Sequence, residues 1–491
     1  MEILLSTFGL IWKTPSQTTC TITLKDTPHE KNNTNFIPEK ITQKMNVNRK
    51  KILIRTHRIY PNLFRYTEKL LDIYLNFSIY RNIMVLMNII RSVYFEKIKP
   101  FIDTPVVKVV TGIRRCGKSV MLSQIRDFLV QQGILENQIL SLNFESFTDE
   151  RIKSFESVTE CVKKCAENSG NKKLYLFFDE IQELSGWEKL INSYLVDFNS
   201  DIYITGSNAK LLSGELATYL AGRYVEIKMF PFSFSESFEA LRISNPGISQ
   251  DDAFFFYIKA GGYPFLYNFN LSEIQQKQYL DDIFNSIILK DISSRNKIRD
   301  ISLLKSLITF FVSNVGNTFS SSSLVKYLKN ERRSVSTETV YNYLEYCREA
   351  CLLHLVQREN IVGKELLLTQ EKIYIADHGI RQALFLSNQK DINQILENIV
   401  YIELLRRGYT VTVGKTGNQE IDFCAKKDSL VEYYQVAYLL ASEETVSREF
   451  CVFNSVKDNY PKFVLSMDKL DFSQNGIIHK NITDWLLGHT A

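Results

Sequence analysis

Gly112-Ile113-Arg114-Arg115-Cys116-Gly117-Lys118-Ser119 fits the pattern G-x-x-x-x-G-K-[ST], and its flanks are right as well as its letters. Val106 to Val110 before it reads as a buried strand, and Val120 to Val130 after it has the period of an amphipathic helix. A strand, a glycine-bounded loop and a helix N-terminus aim a nest of backbone N–H groups at one point, where the helix dipole also favours an anion. Gly112 and Gly117 let the loop curl without a Cβ in the way. Lys118 is placed to reach β- and γ-phosphates, and the Ser119 hydroxyl to complete a Mg²⁺ shell. Gly112 to Ser119, with Val120 in the first helical turn, is therefore the expected cradle for a nucleoside triphosphate, ATP with Mg²⁺.

A second strand supplies the acids. Leu174 to Phe178 is an unbroken apolar run, as suits a central parallel strand covered on both faces, and it ends in Asp179-Glu180. Asp179 is assigned to the metal and Glu180 to the attacking water. A third strand, Ile202 to Ile204, runs into Thr205-Gly206-Ser207-Asn208, where a polar side chain would lie beside the γ-phosphate. Arg223 precedes the strand Val225 to Ile227; it is either a transition-state arginine, in cis or from a neighbouring subunit, or a surface arginine in a solvated ion pair.

The stretch from about Arg91 to Lys480 resembles the AAA-type ATPases of bacteria and archaea that carry an uncharacterised, DUF4143-like C-terminal region. The matching pieces are Thr111 to Val120, Phe178-Asp179-Glu180-Ile181-Gln182, Thr205 to Ala209, Ala221-Gly222-Arg223 with Pro231-Phe232-Ser233-Phe234, and Gly261-Gly262-Tyr263-Pro264. The resemblance implies an α/β ATPase core, a small helical lid, a winged-helix segment and a nuclease-like fold at the end. It puts the sensor position on Ser207 or Asn208 and makes Arg223 a candidate arginine finger.

The expected organisation is an N-terminal extension over residues 1–88, a parallel-sheet P-loop core over 89–230, a helical lid over 231–296, a winged-helix-like segment over 297–385 and a PD-(D/E)XK nuclease-like domain over 386–491. In the winged-helix segment, a helix capped by Ser336 would enter a major groove if it reads DNA, with Lys329, Arg332 and Arg333 meeting phosphates. The acids Glu338 and Glu345 on its face argue against close DNA contact, and packing between domains is an equal alternative. In the last domain Glu397 and Glu403 share a helix, and Glu420-Ile421-Asp422 and Tyr433 to Ala437 read as strands. This order resembles the PD-(D/E)XK nucleases, in which a helix glutamate, a strand aspartate and an (E/Q)-x-K pair surround Mg²⁺. Glu403, Asp422 and Gln435 match that pattern, but Ala437 stands where the lysine belongs, and although Lys426 or Lys427 is near enough to substitute, nothing in the spacing requires it. The expectation is a nuclease-like fold without strong cleavage activity.

Composition sets outer limits. The chain has 491 residues, 45% hydrophobic and 23% charged, ordinary for globular domains. A net charge of +4 does not by itself point to nucleic acid. No run offers the roughly 18 apolar residues of a membrane span, and the opening lacks the features of a signal peptide, so a cytoplasmic protein is expected. The eight cysteines are scattered; the pairs Cys161/Cys165 and Cys347/Cys351 read as thiols on helix faces rather than metal ligands. Cys116, beside two arginines and a helix N-terminus, is a candidate for oxidation. Residues 14–50 read as loop, followed by a basic run from Arg49 to Arg65, and Met84 or Met87 is a candidate internal start.

Two functions compete on these grounds: an ATPase that acts as a switch or motor on a protein or DNA partner, and an ATP-regulated nuclease. A nucleotide-dependent DNA-binding protein without turnover is a third. If Arg223 acts in trans, the active form is a homo-oligomer.

Overall fold

The computed structural model describes residues 89–488, apart from 147, 209–219, 221, 331–334, 362, 364, 386–390 and 418. It also describes an antiparallel pairing of Leu10–Ile11 with Thr23–Leu24. The basic run, Met84, Met87, Arg332 and Arg333 fall outside the described residues. No helix among the described residues is long and apolar enough to cross a membrane.

Five parallel strands form the first sheet: β1 (Val107–Gly112), β2 (Ile139–Asn143), β3 (Leu174–Asp179), β4 (Ser200–Gly206) and β5 (Tyr224–Met229), in the order β2-β3-β4-β1-β5. Alternation along β3 shows why the sheet is buried twice. Leu174, Leu176 and Phe178 pack with Trp187 and Ile191 on one face. Tyr175 and Phe177 pack on the other, in the cluster that holds Met121, Leu122 and Ile125. The helix after the P-loop, α1 (Lys118–Gln131), supplies those three; α2 (Phe155–Asn168) and α3 (Trp187–Asp197) cover the opposite face.

Three helices follow, α4 (Phe234–Ser244), α5 (Gln250–Ala260) and α6 (Glu273–Ser286), with Ser233, Ser249 and Ser272 as their N-caps. After α6 the chain widens into a π-helical stretch, Ile287–Ser294, before α7 (Ile301–Ser313), α8 (Ser321–Asn330) and α9 (Thr337–Glu349). The Gly261-Gly262 turn is tied down from far along the chain, because the Asp377 carboxylate accepts from Gly262 N at 2.7 Å and Gly379 N at 2.9 Å.

Burial pushes the Asp377 carboxyl up to about 7, with the two backbone bonds and Arg406 offsetting part of that rise. The folded chain therefore keeps a proton on Asp377 that the unfolded chain has already lost. Its contribution to stability is present at low pH and declines as pH rises from about 4 to about 7, by on the order of 4 kcal/mol in all. Urea unfolding of wild type and Asp377→Asn across that range is the check. The stability difference between them should shift in favour of the variant as pH rises, and a constant difference would contradict this account.

The second sheet is mixed and has seven strands: β6 (Leu353–Asn360), β7 (Glu365–Ile375), β8 (Thr410–Thr416), β9 (Gln419–Lys427), β10 (Leu430–Val436), β11 (Lys462–Ser466) and β12 (Ile478–Asn481), in the order β12-β11-β10-β9-β8-β6-β7. Helices α7 to α9 precede the antiparallel β6–β7 hairpin. The division expected at residue 385 is crossed, because β6 pairs in parallel with β8 through Arg358 and Val413. Strand alternation shows which faces are buried but does not name the neighbouring strand, which is why the junction was not readable.

Candidate nucleotide-binding site

The loop between β1 and α1 has the geometry its glycines require. Gly112 sits at φ +150°, and a Cβ there would meet the Met229 carbonyl oxygen at 2.3 Å. Gly117 caps α1 at φ +106°. Lys118 folds back over the loop, donating to the Gly112 and Ile113 carbonyls at 3.2 and 3.4 Å. Ile113 is buried and Ser119 exposed at the loop mouth. A cavity of about 260 Å³ opens here, and its lining includes Arg114, Lys118, Ser119, Glu180, Phe265 and Tyr279. The Phe265 and Tyr279 rings stack with centroids 4.3 Å apart.

Both acids at the tip of β3 face the loop. Glu180 holds φ +52°, an uncommon conformation for a side chain and the kind that clusters at functional sites. Its carboxylate lies 3.3 Å from Lys118 Nζ, and both groups are buried. Burial pushes the Glu180 carboxyl up, but Lys118, Gln182 and Arg114 outweigh it and leave it below its ordinary value. Asp179 is the opposite case. Burial dominates and raises it, although Thr205 and Ser119 hydroxyls and Asn143 Nδ2 (3.3 Å) donate to it. A desolvated carboxylate hydrogen-bonded only to neutral donors, beside an exposed serine hydroxyl, is a hard oxygen donor set that fits a divalent cation.

The remaining sequence candidates divide. Ser207 is buried at the end of β4, where its Oγ donates to Asp291 Oδ1 at 3.1 Å and accepts from Arg295 Nη2 at 3.2 Å. Asn208 is buried next to it. Arg223 is not brought to the loop. It precedes β5, its carbonyl accepting from Val107 N at 3.0 Å and its guanidinium donating to Asn192 at 2.7 Å. β1 and β5 run in parallel, so Arg223 lies at the far edge of the sheet, about 20 Å of strand from Gly112. The cis role is corrected; a role in trans stays a proposal. Cys116 is fully buried, and burial pushes its thiol up past the lowering effect of Lys118 and Arg91, which corrects the expectation of a reactive thiolate.

Three groups at this site gave no signal in the sequence. Arg91 donates to Glu236, to the Cys116 carbonyl at 3.0 Å and to the Phe230 carbonyl at 2.8 Å, pinning the loop to the segment that leads into α4. Glu145 and Asp291 both bind Arg114. None belongs to a local motif, and the fold alone brings them together.

In the second sheet, Asp422 and Gln435 do meet, with Asp422 N donating to Gln435 Oε1 at 3.2 Å and Val436 N donating to Asp422 Oδ2 at 2.9 Å. Glu403 does not join them. It pairs with Arg406 and Arg407, and Arg406 in turn donates to the Pro231 carbonyl at 3.0 Å. The helix carboxylate in the cluster is Glu397 on the same helix, α10 (Ile392–Arg406), which accepts from Tyr374 OH at 3.2 Å. Six residues at about 100° each turn Glu403 away from the face that carries Glu397.

A cation is present in the cluster, but from another strand. Lys372 of β7 lies 2.7 Å from Glu420, 3.4 Å from Glu397 and 3.8 Å from Asp422. Lys426 instead pairs with Glu359, and Lys427 donates to the Arg407 carbonyl, so neither substitutes at the Ala437 position. Burial followed by Glu397 pushes Asp422 well above the carboxylate range, with Lys372 offsetting part of it. No group of three or more His, Cys, Asp or Glu among the described residues is arranged to hold a metal ion.

The model of an AAA domain matches residues 104–238, and that of a domain of unknown function (DUF8612) matches residues 251–392. Fold and site thus define an AAA-type ATPase domain followed by a second, mixed-sheet region, and the matched C-terminal domain is DUF8612. An uncharacterised protein of Haemophilus influenzae is 40% identical over 398 residues, covering 81% of this chain and 98% of that protein. The uncharacterised protein MJ1544 of Methanocaldococcus jannaschii is 32% identical over 369 residues, covering 72% and 79%. The chain belongs to the family of these two bacterial and archaeal proteins. Among solved structures, the Walker-type ATPase PABY2304 of Pyrococcus abyssi aligns over 60% of this chain and 95% of its own, at 16% identity and a TM-score of 0.42.

Proposed function

We propose that this chain is a Mg²⁺-dependent ATPase whose lid and second sheet respond to the nucleotide, working as a switch on a macromolecular partner. The observation that carries the reading is the Lys118–Glu180 contact of 3.3 Å beside the phosphate loop. Without nucleotide, Lys118 occupies the carboxylate that would otherwise take a proton from water. A triphosphate over the loop draws Lys118 to its β- and γ-oxygens, and Glu180 is freed as base when substrate is in place. Ser119 and Asp179 would hold Mg²⁺, which when bound neutralises phosphate charge. The stacked rings of Phe265 and Tyr279 in the cavity lining offer an apolar surface for the base.

The second sheet acts in this reading as a structural module rather than a cutting centre, because no acidic group among the described residues is arranged to hold the metal that cleavage needs. The winged-helix-like face favours a protein partner. Glu338, Tyr341 and Glu345 are exposed along α9, and Arg348 is paired with Glu345 at 2.8 Å. Steady-state ATP hydrolysis by the full chain with Mg²⁺, with and without duplex DNA, tests both points. Turnover indifferent to DNA is expected. Turnover accelerated by DNA would assign the partner to nucleic acid, and none at all would overturn the ATPase. Mg²⁺-dependent plasmid nicking that disappears in Asp422→Ala would restore the nuclease reading.

A further inference from the structure

Arg114 leaves the phosphate loop toward the lid rather than toward solvent. Its Nε and Nη2 meet Asp291 side-on at 2.8 and 3.1 Å, and its Nη1 meets Glu145 Oε1 at 3.1 Å. The two carboxylates differ. The Asp291 side chain is 1% exposed and also takes Ser207 Oγ, and Arg295 lies 3.4 Å away. Glu145 is 36% exposed and is shared with Lys290 at 3.2 Å. A two-point pair out of water stays in place, whereas a single contact at the cavity wall is open to exchange for a stronger anion.

Asp291 stands in the π-helical stretch between α6 and α7. Wide turns of this kind are rare and frequent at functional sites. This one brings a lid carboxylate to an arginine 177 residues earlier in the chain. Ser207, just past the tip of β4, joins the network through its hydroxyl, which donates to Asp291.

We propose that Asp291 is a positioning residue for ATP hydrolysis: it holds Arg114 side-on so that the Nη1 edge exchanges Glu145 for the γ-phosphate. This rests on the ATPase reading above. In the step served, a water oxygen bonds to the γ-phosphorus as the bond to the bridging oxygen of ADP breaks. ADP leaves with that electron pair, and the water proton passes to Glu180. Arg114 neutralises charge on the γ-oxygens in cis, the place that Arg223 cannot take within one chain. The lid senses the γ-phosphate through the same pair.

The test uses the full chain and reads kcat for ATP separately from the Kd of a non-hydrolysable ATP analogue. Asp291→Asn should lower kcat by roughly 100-fold, as misplacing a catalytic group does, and change the analogue Kd less than about threefold. The double variant Arg114→Ala/Asp291→Asn should be no slower than Arg114→Ala alone, since the aspartate acts only through the arginine. Glu145→Gln, on the exposed side, should tighten analogue binding several-fold, and that gain should vanish in the Arg114→Ala background. An Asp291→Asn chain of reduced thermal stability but wild-type kcat would overturn the proposal and leave the ATPase intact, as would additive effects in the double variant. Should Asp291→Asn not fold, an Arg114-independent Glu145→Gln gain would overturn it equally. A wild-type chain without turnover would overturn both readings.

Discussion

Lys118→Ala is expected to weaken Mg²⁺·ATP binding by at least about 100-fold, the scale of removing one partner from a desolvated charge pair. Equilibrium titration with a fluorescent ATP analogue measures it. The same substitution leaves Glu180 buried without its cation, which costs on the order of 3–5 kcal/mol. Lys118 holds the Glu180 carboxyl below its ordinary value, so the pair's contribution is present above that ordinary value and is lost as pH falls through the depressed one. The variant's loss of stability should therefore be large at neutral pH and shrink in acid. Binding within threefold of wild type would mean that the triphosphate does not sit on this loop.

Glu180→Gln separates binding from chemistry. The amide keeps the shape of the side chain and cannot take a proton from water, so turnover should fall by about 10²–10⁴-fold. ATP affinity should be equal or tighter, because Lys118 no longer has a carboxylate competing with phosphate. Turnover measured beside analogue binding distinguishes this from misfolding, which would lower both. A rate within about threefold of wild type would move the base elsewhere.

That the glycine loop and the two acids lie together was legible because each part is contiguous in the chain. Gly112 to Ser119 has to be continuous for one loop to wrap phosphates, and Asp179-Glu180 follow directly from the strand that carries them. What was not legible lies in contacts between distant segments. Nothing around Asp291 sets it apart from any other helix acid, and its meaning comes from a π-helical stretch packed beside Arg114. Arg223 was misplaced for a related reason: residue order gives the strand it precedes but not the edge of the sheet at which it falls.

The second sheet is a sharper case. Asp422 and Gln435 were found because strands β9 and β10 are adjacent both in sequence and in space. Glu403 was chosen over Glu397, although helical period alone puts the two on different faces. Lys372 was out of reach, since its strand belongs to the hairpin read as a separate wing and joins the sheet only through β6 and β8.

The most direct test of the central claim is a single-turnover experiment with the full chain in excess over γ-labelled Mg²⁺·ATP, comparing wild type with Glu180→Gln. The account predicts phosphate release by wild type, and bound, intact ATP in the variant. Intact ATP in both, or equal phosphate release from both, would contradict it.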